Sequence, residues 1–425
     1  MNASVAGGQP LAAAVFNTRV AFLLELARRL HQYGTAAPRL EVAVRRAAER
    51  LGVQADVWSS PTAIIISFAE LGQSDEGLAQ TTQVMRLSPG DVNLARLCAA
   101  DEIADRVIAG NLDLREGFHL LRALGVPDTR RAKITTVVSY GLSAASIAAL
   151  FLHSSWVDLL VTAFIGLLIG WITLLSATRP RLAVASDAIS AMVATTVAIL
   201  VSAFVVPLAI KPVILAALIV LIPGMSLTTA VREVSSGHLV SGMARVGGAT
   251  ATLLKLTFGT VAATQLCAAF GIVARDFTLP PLPAWTDWPA LLVAAVAFAL
   301  LFRAAWRDWP AVVVAVIAGY LATRWGGEIP SRLPSAPVGV FIGGLLVGAL
   351  ANLYARVAKR PGAVIREPGI LLLVPGSVGF RSVSFLLERD TSLGMDTALL
   401  LLTLLVSLVA GLLFGELLVS PRRSL

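Results

Sequence analysis

The sequence predicts a polytopic α-helical membrane protein: about ten transmembrane helices forming two inverted five-helix repeats, behind an N-terminal cytosolic α+β domain. Three observations predict it. Hydrophobic residues make up 56% of the 425 residues and charged residues only 14%, with a mean hydropathy of +0.79, where a soluble domain carries about 25% charge. Beyond residue 132, apolar runs long enough to cross a bilayer, roughly 20 residues each, follow one another. Two of those runs are interrupted in the same way, by Pro223-Gly224 and Pro375-Gly376, 152 positions apart. These features divide the chain into a cytosolic domain over 1–132 and two membrane repeats over 133–275 and 285–420.

The first domain reads as helix, helix, three strands, helix, helix. Val15 to Gln32 has an amphipathic period and stops before Tyr33-Gly34; Arg39 to Arg50 is stopped by Gly52. Val53 to Trp58 and Thr62 to Ala69 read as strands around the turn Ser59-Ser60-Pro61, with Thr81 to Leu87 as a third. The turn Ser88 to Asp91 then introduces helices over Val92 to Ala109 and Leu114 to Leu124.

Ten spans follow, near 134–152, 156–175, 188–209, 212–230, 246–272, 288–303, 309–323, 337–355, 368–387 and 396–418. With the first domain cytosolic, the inner loops and tail carry twelve Lys and Arg against six in the outer loops. That bias predicts a multi-pass protein of a plasma membrane, the bacterial inner membrane, with both termini cytosolic. It also accounts for much of the net charge of +8, so a nucleic-acid partner is not expected.

The repeat rests on more than the Pro-Gly pairs. Gly242-Met243 and Gly394-Met395 share the offset of 152, and Trp156 and Trp309 open corresponding spans. The Pro- and Trp-rich stretch Arg275 to Trp288 lies at the join. Because each half holds an odd number of spans, the second enters the membrane from the opposite side, as in many secondary transporters. Small-residue pairs such as Gly166/Gly170, Gly339/Gly343, Gly344/Gly348 and Gly411/Gly415 read as helix-packing positions.

A proline within a span frees a carbonyl, tolerated in lipid only where protein, water or ligand satisfies it. The half-helix beyond offers free N–H groups and a partial positive charge, which suits a carboxylate. Candidate substrate-binding residues are therefore Pro223, Gly224, Ser226, Thr228 and Thr229 at the first break, and Pro375, Gly376, Ser377 and Arg381 at the second. The competing reading of each break is a kink whose hydroxyls bond the preceding turn. Lys255, deep in the fifth span, joins the binding set as an intramembrane charge that pairs with a carboxylate, contacts substrate, relays protons or snorkels to the inner interface. Asp187 and Glu233 are candidate proton-coupling groups; for Asp187 a helix N-cap competes. Arg232, Glu233 and His238 also read as a solvated cluster at the inner face.

Other classes find little support. There is no GxSxG, HExxH or Walker A pattern, so neither an enzyme nor ATP-driven pumping is expected, with no catalytic residues. Cys98 and Cys267 have no metal or disulfide spacing, and no metal or cofactor is called for. A solute channel would show polar-lined spans or rings of charge; neither is evident. The expected partners are a small-molecule substrate, protons and the lipid bilayer, with a homo-oligomer left open.

The order of "SSPTAIIISF", "SWVDLLVTAFIGLLIGWI", "IPGMSLTTAVREVSSGHLVSGMAR" and "LLVPGSVGFRS" resembles the bacterial and fungal threonine/serine exporter family, over nearly the whole chain from about Val20. In that family the halves are sometimes separate proteins, a division that the join at 275–288 matches. The resemblance implies export of threonine and serine by antiport driven by the proton motive force. Its split members also bring in dicarboxylates such as succinate. It marks Pro223, Gly224, Thr228, Pro375, Gly376 and Arg381 as core positions.

Overall fold

The computed structural model describes residues 8–70, 81–152, 154–277, 279–329 and 337–420. The N-terminal module opens with α1 (Gly8–Gln32) and α2 (Ala37–Arg50) and continues into an antiparallel sheet of β1 (Val53–Ser60), β2 (Ala63–Glu70) and β3 (Thr81–Arg86) in that order. β1 alternates buried and exposed residues along most of its length, and its register runs from Val53↔Glu70 to Ser60↔Ala63, as a half-buried sheet requires. Phe22, Leu23 and Leu26 of α1, Leu40 of α2, and Ile64, Ile66 and Phe68 of β2 form its fully buried core. Two further helices close the module: α3 (Leu94–Ile108), capped by the Asn93 side chain, and α4 (Leu114–Ala123), capped by Asp113.

The remaining helices are α5 (Arg130–Leu152), α6 (Trp156–Ala177), α7 (Pro180–Phe204), α8 (Ile210–Ala217), α9 (Gly224–Ser235) and α10 (Leu239–Ala269), then α11 (Asp287–Leu301), α12 (Trp309–Gly327), α13 (Val338–Ala358), α14 (Ala363–Leu371), α15 (Gly376–Leu387) and α16 (Thr391–Leu418). Among the described residues, eight helices are long and apolar enough to cross a bilayer, or nine if α14 and α15, bent by 43°, make one crossing. The chain is therefore a polytopic helical membrane protein. The count falls short of ten continuous spans for a local reason. The expected span 212–230 is two short helices, because α8 ends at Ala217 and Leu218 to Pro223 turn rather than propagate the helix.

Both sets of six helices run as three longer helices, a short pair in fourth and fifth places, and a last helix that is the longest. Packing follows suit: α10 lies against α7, and α16 against α13. The small residues lie where backbones approach. Gly166 and Gly170 face Tyr140 and Val137 of α5, while Gly411 and Gly415 face the backbone of α13.

Contacts with the module give the helices a direction. Leu94 and Ala95, in the first turn of α3, donate their amides to the Phe302 and Arg303 carbonyls just beyond α11, at 3.0 and 3.1 Å. Orphan donors of one helix thus meet orphan acceptors of another. α11 therefore ends at the module face and begins, at Asp287, on the far face. α5 starts at the module, where Asp128 just before it pairs with Arg96. On the far face, Asp158 completes a capping box with Ser155 and accepts the Ala209 amide at 3.1 Å, which fixes the lead into α8.

Gly224 and Gly376 sit at the closest approach of the two short pairs. A Cβ on Gly224 would collide with Val374 Cγ1 and stand 3.1 Å from Gly376 Cα. Gly224→Ala should therefore destabilise the membrane part by about 1–3 kcal/mol, read as a lower melting temperature of the detergent-solubilised protein. Val374→Ala in the same chain should restore part of the loss, since it removes the nearest obstructing atom. A Gly224→Ala protein that melts like the parent would show that the crossing is loose.

Candidate functional site

The two Pro-Gly breaks take nearly the same backbone turn. Pro223 precedes α9 with φ −79° and ψ 40°, and Pro375 precedes α15 with φ −81° and ψ 39°. Reciprocally to the Gly224 contact, a Cβ on Gly376 would stand 3.2 Å from Gly224 Cα. Two helix N-termini thus touch, backbone to backbone. Each leaves first-turn amides without an in-helix acceptor and carries a partial positive charge. They leave the crossing in opposite directions. Near its end α9 carries Glu233, bonded to the module, whereas just past α15 Glu388 lies 3.7 Å from Lys211 at the far-face start of α8.

A cavity of about 1180 Å³ runs from the module to this crossing. Pro223, Ser226, Ser377 and Arg381 line its floor, while Arg29, Asp91, Arg96, Asp128, Lys133 and Arg303 line its upper wall. Five basic groups thus face two acidic ones, with Arg29 held by the buried Glu25 at 2.6 Å and Asp128 accepting from Arg96 at 3.0 Å and pairing with Arg303 at 2.7 Å, which leaves an excess of two basic groups. The cavity is electropositive, with two helix N-termini at its floor, and concentrates anionic groups. Arg381 is exposed within it, its guanidinium 5.9 Å from the centre of the Phe385 ring. Asp91 is open to the cavity yet walled in by surrounding protein. Burial raises its carboxyl above the usual range, against the opposing charge of Arg303.

The sequence model ThrE, a threonine/serine exporter family, matches residues 21–267, more than half of the chain, and ThrE_2, described as "Threonine/Serine exporter, ThrE", matches residues 289–418. The chain belongs to the threonine/serine exporter family. Its curated relatives include Pheromone-regulated membrane protein 10 of Eremothecium gossypii, 24% identical over 85% of this chain and 48% of that protein. The protein of the same name in Saccharomyces cerevisiae is 23% identical over 94% of this chain and 54% of its own length. An uncharacterised protein of Schizosaccharomyces pombe is 23% identical over 89% of this chain and 50% of its own. The chain spans about half the length of these relatives. No solved structure matches it.

In this exporter-family chain the remaining candidates lie away from the cavity. Thr228 is 1% exposed and donates its hydroxyl to the Gly224 carbonyl at 3.1 Å, the local bond of the kink reading. Thr229 lies one position on, off the cavity wall, and is half-buried. Lys255 pairs with Asp187 at 3.5 Å between α10 and α7. The N-cap reading of Asp187 does not hold, since α7 begins at Pro180 and Asp187 lies two turns inside it.

Glu233 is not in a solvated cluster; it is fully buried. Its Oε1 accepts the Ala37 amide at 3.1 Å, and its Oε2 accepts Ser241 Oγ at 2.7 Å and Arg245 Nε at 2.9 Å. Ala37 opens α2, so a carboxylate from the membrane part caps a helix of the module. Close by, Glu416 Oε1 of α16 accepts from Arg39 at 3.0 Å and Arg232 at 2.9 Å, with Arg366 at 3.6 Å. Burial, with the charge of Arg366 beside it, brings Arg39 down to about 9. His238 Nε2 meets Glu41 of α2 at 3.1 Å.

Asp91, Arg303 and Tyr140 are wall residues that the sequence did not single out. Asp91 carried only a turn signal, and Arg303 only a charge at the end of a span.

Glu233→Ala should loosen the module, because it strands the Ala37 amide, Ser241 and Arg245 together. Removing one partner of a buried charged pair costs about 3–5 kcal/mol. The expected result is faster proteolytic cleavage between α4 and α5, with the same thermal unfolding of the membrane helices. Unaltered cleavage would mean that the module is held elsewhere.

Proposed function

We propose that this chain is a secondary transporter exporting small polar metabolites, foremost threonine and serine, in exchange for protons. Its crossings are read as ten, eight continuous and two broken, forming two inverted repeats. They lie in a plasma membrane, the bacterial inner membrane, with the module and both termini on the cytosolic side. Family membership and the membrane-spanning helices support the transport class, and the Lys and Arg bias of the loops supports the orientation. One observation carries the reading: two half-helix N-termini running in opposite senses touch at Gly224 and Gly376, on the floor of an electropositive cavity. This is how an inverted-repeat transporter presents positive helix ends to a substrate carboxylate near the midplane.

The substrate carboxylate lies against the first-turn amides of α9 and α15 and is gripped by Arg381, with the Ser226 and Ser377 hydroxyls bonding the polar side chain. Arg381 supplies two parallel donors, a geometry that a lysine does not reproduce. Asp91 is the proton-coupling group in this reading. It shares the cavity with the substrate and holds its proton more tightly than an ordinary aspartate. Asp187 and Glu233 are engaged in ion pairs away from the cavity. The excess of basic groups on the wall favours a second reading, export of a dicarboxylate such as succinate.

Efflux from loaded proteoliposomes, with and without a pH gradient, tests the scheme. Threonine and serine efflux should saturate and rise with an inward proton gradient. Arg381→Ala should cut it about tenfold to a hundredfold, the loss of a charged hydrogen bond worth about 1.5–3 kcal/mol, and Arg381→Lys should recover part of it. Succinate efflux exceeding that of threonine would select the dicarboxylate reading, and efflux that neither saturates nor responds to the gradient would point to a channel.

Asp91→Asn should leave threonine exchange across the membrane intact while removing the response to the pH gradient. Gradient-driven efflux equal to that of the parent would dismiss Asp91 from coupling.

A further inference from the structure

The far face holds a second, smaller cavity of about 370 Å³, whose lining includes Phe151, Asp287, Tyr320, Thr323, Arg324 and Leu372. Its position follows from the helix directions: Phe151 is at the end of α5 away from the module, Asp287 begins α11 and Arg324 lies in the last turn of α12. Phe151 and Leu372 also line the large cavity. The two spaces therefore share a wall made of these two side chains, and Leu372 belongs to the Pro375 break itself. Phe151 meets Tyr320 edge to face, with ring centres 5.9 Å apart, so one of the two partition side chains is braced by an aromatic contact from the small-cavity side.

The small cavity has one charge of each sign. Arg324 and Asp287 approach to 3.6 Å, an ion pair longer than a hydrogen bond, and are 59% and 27% exposed. Exposed pairs of this kind add little to stability. Among the described residues neither group has another side-chain partner, so the pair is open enough for a ligand to enter, with guanidinium donors for a carboxylate and carboxylate lone pairs for an ammonium. The volume lies within the roughly 300–1,000 Å³ usual for small-molecule sites.

We propose that this cavity is an outer substrate chamber for zwitterionic amino acids, with Arg324 taking the carboxylate and Asp287 the ammonium, and that Phe151 and Leu372 close it from the large cavity. The assignment rests on the export reading above and sharpens it. A dianion would gain from Arg324 but be repelled by Asp287, so the chamber discriminates between the two substrate classes that the large cavity admits.

Thiol labelling of the full-length protein in oriented proteoliposomes tests this. Single cysteines replace Thr323 or Ser226 in a Cys98→Ala, Cys267→Ala background, and a charged, membrane-impermeant reagent is added to one face at a time. Thr323→Cys should react from the far face and Ser226→Cys from the module face. Phe151→Ala should let each react from both faces; where that variant does not fold, Tyr320→Ala serves in its place. Threonine should protect Thr323→Cys from the reagent, succinate should not, and Asp287→Asn should remove the protection. Labelling of both positions from one face, no effect of opening the partition, or equal protection by threonine and succinate would each overturn the proposal. Threonine efflux measured on the parent protein keeps the two ideas apart. Selective protection without efflux would refute export and leave the chamber standing, while efflux without protection would do the reverse.

Discussion

The contact between Gly224 and Gly376 is the constraint from which the rest of the membrane part follows. Two backbones come within a Cβ radius of each other only where neither residue has a side chain. Helix ends carrying like partial charges are not neighbours by electrostatic preference. What holds them there is packing on either side: Ile222 and Val374 lie against the opposite glycines, and the short helices are wedged between long ones on both sides. The arrangement leaves polar groups at the centre of the bundle, and those that protein groups such as the Thr228 hydroxyl do not satisfy need water or a ligand there. A cavity reaching to the crossing is therefore a condition of the crossing.

The N-terminal module is joined to this centre through helix ends as well as loops. Glu233 and Arg232 lie two turns from Gly224 along α9, so the helix that starts at the crossing finishes on α2. Glu416 draws together α2, α9, α14 and α16 through three arginines. α3 is docked separately, end to end with α11. The module thus touches both halves of the membrane part, and it touches the first at the far end of a half-helix that lines the cavity floor. Any shift of α9 at the crossing is transmitted along about 14 Å of helix, at 1.5 Å per residue, to a buried carboxylate.

Much of this was legible in the sequence, and the exceptions share a cause. The module's helices and strands followed from period, caps and turn residues, and their observed limits differ by only a few residues except at the start of α1. The Pro-Gly breaks were legible because proline has a fixed local consequence and because they recurred at one spacing. The early end of α8 was not: Leu218 to Ile222 is an apolar run that reads as helix, yet it turns over the residues before Pro223, where Ile222 packs against Gly376. Asp187 read as a cap because its partner, Lys255, is 68 positions away on another helix. Glu233 read as solvated for the same reason, its partner Ala37 being in another part of the fold. Asp91 and Phe151 acquired meaning from cavities, which no local pattern encodes.

The near identity of the two breaks has a thermodynamic side. Where two turns share their backbone angles to within about 2°, exchanging their roles leaves the local conformational energy almost unchanged. For a protein that alternates between two facings, the balance between those facings is then set by whatever the two halves do not share. Here that means Arg381 against Thr229 at the corresponding position, and an N-terminal module bolted to one face. A few kcal/mol of such asymmetry is enough to populate one facing almost exclusively. On the export reading proposed above, the module is in that sense a ballast: its grip on α9 and α16 is one of the asymmetries that would set the side on which the molecule rests.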